Sequence, residues 1–157
     1  MEYCSLTITT EFGKEKRVLM DTLDLLFPYD YDVEGKIIGP SKICIKTSIE
    51  DIDFLSRIFS DFPIRGLKIV RISKPIIEIK DLEKLPEKLI EYIKNKKSLK
   101  IRKIKRKSKD IPKNIYLKLL KNLEKEKLLS PDGHVTFLEI INSKVFLTLE
   151  IFRVEND

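Results

Sequence analysis

The chain has 157 residues, room for one large or two small domains but not for a catalytic domain of ordinary size beside a binding domain. With 42% hydrophobic and 36% charged residues, 5 Gly and 7 Pro, it is composed as a folded, heavily charged globule and not as a disordered or fibrous chain. Apolar runs such as residues 145–149 fall far short of the roughly 20 residues of a membrane span. Met1-Glu2-Tyr3 leads into a strand pattern without an export signal, so a cytoplasmic location is expected. The lack of Trp, Gln and Ala, beside abundant Lys, Ile and Glu, matches the composition enriched in hyperthermophiles. Cys4 and Cys44 both lie in strand-like runs with no basic neighbour to activate them, which predicts two buried, reduced thiols.

Residues 3–10 alternate Cys4, Leu6, Ile8 against Ser5, Thr7, Thr9, the period of a half-buried strand ended by Gly13. Val18, Leu19, Leu23, Leu25, Leu26 and Phe27 then recur at helical spacing until Pro28. Residues 36–38 and 42–47 read as a hairpin around Gly39-Pro40. Ser48 is a candidate N-cap, followed by the acids Glu50, Asp51 and Asp53 and the stripe Ile52, Leu55, Ile58, Phe59. Leu67, Ile69 and Ile72 give a strand expected to end near Pro75. Strand, helix, two strands, helix, strand is the order of a ferredoxin-like layer, so residues 1–75 are expected to form that domain.

The remaining residues, 76–157, are expected to form a second, mixed α/β domain, making the whole an α+β protein. Residues 82–93 read as a helix with Leu85, Leu89, Ile90 and Ile93 on one side. Residues 98–107 read as a strand with Leu99, Ile101 and Ile104 inward; the slip in phase between Ile101 and Ile104 predicts a bulge near Arg102 and Lys103. Pro112 opens a helix through Ile115, Leu119, Leu120 and Leu123, which ends before Ser130-Pro131-Asp132-Gly133. Two strands, 135–141 and 144–153, close the chain through the two-residue turn Asn142-Ser143.

The charge is local. Residues 1–75 sum to −1 and residues 76–157 to +7, and residues 94–109 alone hold ten Lys or Arg and no acid. Without that stretch the net charge of +6 becomes −4. A patch of this kind is the electrostatic footprint of a phosphate-backbone binder; a solvated face paired to distant acids is the alternative, and an anionic membrane surface is disfavoured by the lack of a lipidation motif or a bulky amphipathic helix. The candidate phosphate contacts are Lys96, Lys97, Lys100, Arg102, Lys103, Lys105, Arg106, Lys107 and Lys109.

Catalysis finds little support. His134 is the single histidine, and with Cys4 and Cys44 it lacks the spacing of a zinc site. The five glycines form neither a dinucleotide fingerprint nor a phosphate loop, so no cofactor and no metal are expected. Asp30, Asp32, Glu34 and Gly35 echo the start of a calcium loop, but Ser41 stands where the bidentate Glu belongs, leaving a solvated acidic loop.

The element order, the basic strand at 99–106 and the Pro131-Asp132 turn before a closing hairpin resemble a THUMP domain preceded by its ferredoxin-like partner, over nearly the whole chain. The sequence departs from that pattern at Ser130 in place of Asn, at Glu126-Lys127 where a Val-Asp pair is usual, and at the added Gly133. The resemblance implies binding of the tRNA acceptor region and its delivery to a modifying enzyme. With no modifying domain in these 157 residues, it implies a free-standing, non-catalytic module, similar to the adaptor that serves the tRNA cytidine acetyltransferase. The expected partners are therefore tRNA and a separate tRNA-modifying enzyme. A protein-binding adaptor whose basic strand meets an acidic partner is the alternative.

Overall fold

In a computed structural model that describes residues 4–96 and 99–155, the chain is α+β, with four α-helices and seven strands among the described residues. Two units divide it: one holds the chain up to Ser73 together with the stretch from Glu150 on, the other Lys74–Leu149.

The first unit contains β1 (Leu6–Thr10), α1 (Glu15–Leu26), β2 (Glu34–Gly39), β3 (Lys42–Lys46), α2 (Ile52–Asp61) and the first part of β4 (Leu67–Glu78). Its strands lie in the order β2-β3-β1-β4 with every one of these pairs antiparallel, the ferredoxin-like arrangement expected from the element order. Leu6 and Ile8 in β1 stand opposite Ile45 and Ile43 in β3 and opposite Ile72 and Val70 in β4, and all six are buried. They share the core with Val18 and Leu26 of α1 and Leu55 and Phe59 of α2. Each such burial contributes about 1.5–3 kcal/mol.

Two local expectations are corrected in this unit. Cys4 and Cys44 are joined in a disulfide with their Cα atoms 5.2 Å apart, so they are not reduced thiols. The reason is tertiary: β1 lies antiparallel against β3 with Thr7 opposite Cys44, and a bend at Ser5 just before β1 returns Cys4 to within disulfide reach of Cys44. The N-cap of α2 is Asp51, whose Oδ1 accepts the Phe54 N–H at 3.1 Å, and not Ser48. Ser48 instead donates its N–H to Asp30 Oδ2 at 2.9 Å. Asp30 also accepts the Thr47 hydroxyl at 2.7 Å and the Asp32 N–H at 3.1 Å, so the acidic loop is a turn organised around one carboxylate. The Ser48 N–H above all holds the Asp30 carboxyl below its ordinary range, helped by the Thr47 hydroxyl against slight burial.

The second unit contains the rest of β4, a 3-10 turn at Ile79–Lys84, α3 (Leu85–Asn95), β5 (Ile101–Arg106), α4 (Lys113–Lys125), β6 (His134–Ile141) and β7 (Lys144–Arg153) as far as Leu149. β4 continues through Pro75, where it was expected to stop; a strand tolerates proline where the missing N–H is not needed by a neighbour. α3 starts at Leu85 instead of 82, because residues 79–84 wind as a 3-10 turn and Pro86 takes the first helical turn. β5 and β6 are parallel, with α4 as the crossover between them, and β6 and β7 form the expected hairpin through Asn142 and Ser143, both at positive φ (49° and 66°).

The β6 ladder to β7 ends at the pair Thr136–Leu149, and the last residues of β7 serve the first unit. The Val154 N–H donates to the Lys68 carbonyl at 2.8 Å, the Ser56 hydroxyl donates to the Ile151 carbonyl at 2.8 Å, and Phe152 stacks on Phe59. The division therefore differs from the expected ranges 1–75 and 76–157 chiefly in where residues 150–155 belong.

Candidate nucleic-acid interface

β5 is the outer strand of the second unit's sheet, bonded to β6 on one side. Ile101 and Ile104 are buried, while Arg102, Lys103 and Lys105 are exposed. Two consecutive exposed residues break the period of a strand, and the register to β6 shifts between Ile101 and Lys103, which is the bulge expected from the sequence. Lysines on an outer strand also keep it from pairing with other chains, so these charges serve the fold whether or not they meet a ligand.

The register places Lys103 beside Val135 and Lys105 beside Phe137, on the sheet face opposite that of the buried pair Ile104 and Thr136. The Lys105 and Lys107 ammonium groups lie 6.0 and 5.5 Å from the centre of the Phe137 ring. Lys107 is also paired to Glu139 at 3.0 Å, and Glu139 accepts the Thr148 hydroxyl at 2.9 Å. A partly exposed aromatic ring flanked by two ammonium groups is a surface on which a base can stack while a phosphate is neutralised. In the sequence Phe137 is one residue of the strand 135–141; the parallel pairing of β5 with β6, invisible to local pattern, puts it among the lysines.

The other expected contacts divide by what already engages them. Lys100 lies 3.8 Å from Asp132. Asp132 is held in its ionised form first by the Ser130 hydroxyl, then by its own backbone N–H and by the charge of Lys100. Arg106 donates to the Ile111 carbonyl at 2.9 Å and lies over the Tyr116 ring, whose hydroxyl bonds the Ile104 carbonyl at 2.7 Å; it is half-buried and ties β5 to the start of α4. Lys96 follows the end of α3 and Lys109 lies exposed in the turn after β5. Lys97 falls outside the described residues. Lys94, at the end of α3, bridges to Glu126 at 2.7 Å across a shallow groove lined by acids and bases of both helices. α4 adds Lys113, Lys118, Lys121 and Lys125, all exposed, which the reading of residues 94–109 left out; their spacing of five, three and four residues was the signal.

The Ser130–Gly133 turn pins β5 where it begins. The Ser130 N–H donates to the Ile101 carbonyl at 2.8 Å and the His134 N–H to the Lys100 carbonyl at 2.7 Å. A Cβ on Gly133 would lie 2.6–2.7 Å from backbone atoms of residues 100–102, so only glycine lets the two segments approach this closely. Gly133, one of the departures from the pattern described above, thus positions the basic strand.

Among the described residues no group of three His, Cys, Asp or Glu is placed to hold a metal ion, and no helix is long and apolar enough to cross a membrane.

No family model and no curated protein matches this sequence. In solved structures the chain is similar to a predicted N6-adenine-specific DNA methylase from Listeria monocytogenes, with a TM-score of 0.50 and 14% identity. The match covers 96% of this chain and 40% of that one, so the chain spans about two fifths of the length of the protein it resembles. At this identity the likeness is one of fold, and it extends across both units.

Proposed function

We propose that this chain is a non-catalytic RNA-binding module of the THUMP type, which binds tRNA and presents it to a separate modifying enzyme, as an adaptor does in tRNA cytidine acetylation. The observation that carries the proposal is the arrangement on β5: Arg102, Lys103 and Lys105 exposed on an outer strand, with Phe137 beside Lys105 and Lys107. Phosphates need such cations, and the unpaired acceptor end of a tRNA offers bases free to stack. Support also comes from the fold match, in which this architecture makes up two fifths of a protein described as a predicted N6-adenine-specific DNA methylase.

Binding of unmodified tRNA, titrated across a range of salt, tests the reading. With about five to seven phosphates neutralised, log affinity should fall against log salt with a slope of about −4 to −6, at roughly 0.9 per contact on a duplex. Competition with duplex DNA and heparin separates recognition from charge alone. A flat salt response, or displacement of tRNA by heparin and DNA at equal charge, rejects tRNA recognition and favours an acidic protein partner for the same strand.

A further inference from the structure

β2 is the outer strand at the far end of the first unit's order from β4, bonded to β3 on one side. Glu34 and Lys36 are exposed on it, and Ile37 is 46% exposed. Outer strands are usually blocked against further pairing by like charges, proline or a covering segment. Here the charges are of opposite sign and two residues apart. Glu34 stands opposite Lys46 and Lys36 opposite Cys44, on one face of the sheet, while Gly35 and Ile37 stand opposite the buried Ile45 and Ile43 on the other.

We infer that this edge pairs with the same edge of a second copy of the chain, antiparallel about a two-fold axis at Gly35. The register follows from charge. A two-fold axis normal to the sheet runs between the two copies of one residue, which stand opposite each other, and pairs its neighbours crosswise. An axis at Glu34 sets glutamate against glutamate, and an axis at Lys36 sets lysine against lysine; both oppose like charges directly across strands. The axis at Gly35 sets Glu34 against the partner's Lys36 and Lys36 against the partner's Glu34, two opposite-sign pairs on one face. On the other it brings Val33 next to the partner's Ile37, twice. Gly35 suits the axis because no side chain stands there: a Cβ would lie 2.6 Å from Ile45 Cδ1 and 2.8 Å from Leu19 Cδ1, so the strand is drawn in under α1. Backbone hydrogen bonds between the two β2 strands supply the affinity and the charge pairs supply the register.

Sedimentation equilibrium over the low to high micromolar range tests this with four proteins. Wild type should dimerise. Glu34→Lys alone and Lys36→Glu alone each set like charges across the axis and should raise the dimer dissociation constant at least about tenfold. Mixing these two variants should restore association as a heterodimer, and the double exchange Glu34→Lys with Lys36→Glu should restore the homodimer. Wild type that stays monomeric, single variants that dimerise like wild type, or a mixture that does not associate would each overturn the assignment. Far-UV circular dichroism confirms that each variant is folded; if a single variant is not, the double exchange decides, its dimer supporting the axis and its monomer refuting it.

Discussion

The two units place their surface chemistry in opposite ways. In the first, the features around the outer strand and its loops are mutually compensating: Asp30 gathers three donors, Glu15 accepts the Ser41 and Gly13 N–H groups at 2.9 and 3.2 Å, and a disulfide fastens the start of β1 to β3. In the second, the outer strand β5 carries charges of one sign, and the turn that pins it does so through backbone contacts which leave Arg102, Lys103 and Lys105 exposed. An outer strand can be kept from pairing by a surplus of one charge, which leaves it suited to a polyanion, or can carry paired charges, which suit it to a copy of itself.

The largest expected effect is on the first unit. Reducing the Cys4–Cys44 bond, which closes a loop of 40 residues in separation, should cost that unit about 4 kcal/mol by the chain-entropy relation, read from chemical denaturation with and without reductant. Protection of β5 and β6 amides in hydrogen exchange should change far less, since the bond lies wholly outside their unit.

Next is binding. Replacing Arg102, Lys103 and Lys105 together by Glu should weaken tRNA binding at least about a hundredfold with circular dichroism unchanged, because these side chains are exposed. The same reversal at Lys14, Lys16 and Lys42 of the first unit should change affinity by no more than about threefold. Equal losses would erase the contrast between the units.

Gly133→Ala should destabilise the second unit by about 1–3 kcal/mol, because its Cβ meets backbone and not the flexible end of a side chain. Thermal unfolding followed by exchange should show β5 losing protection first.

The smallest effect concerns acid. The Asp30 carboxyl is lowered in the folded state, so its ionised form stabilises the fold above the ordinary aspartate range near 3.9, and that contribution is lost as pH falls through the lowered folded value. Asp30→Asn should therefore flatten the acid limb of a stability–pH curve for the first unit without moving its neutral plateau by more than a few tenths of a kcal/mol, the scale of an exposed charge interaction. Asp132 provides the matching test in the second unit, where the Ser130 hydroxyl is the main cause of the lowering.

What residue order alone determines here is local in origin. The period of two in Leu6 and Ile8, the helical stripe of Ile52, Leu55, Ile58 and Phe59, the hairpin at Asn142-Ser143 and the bulge at Arg102-Lys103 all follow from which side chains can face inward together, and each stands in the structure. The ferredoxin-like order of the first unit followed from counting such elements. Other features needed the chain to be folded. The disulfide depends on β1 lying against β3, the placing of Phe137 among the lysines depends on β5 running parallel to β6, and the allegiance of the last residues of β7 depends on where its ladder to β6 runs out. Strand direction and neighbour order join residues far apart in the chain, at a cost in loop entropy that nearby residues do not reveal; they are settled only when the buried faces find each other.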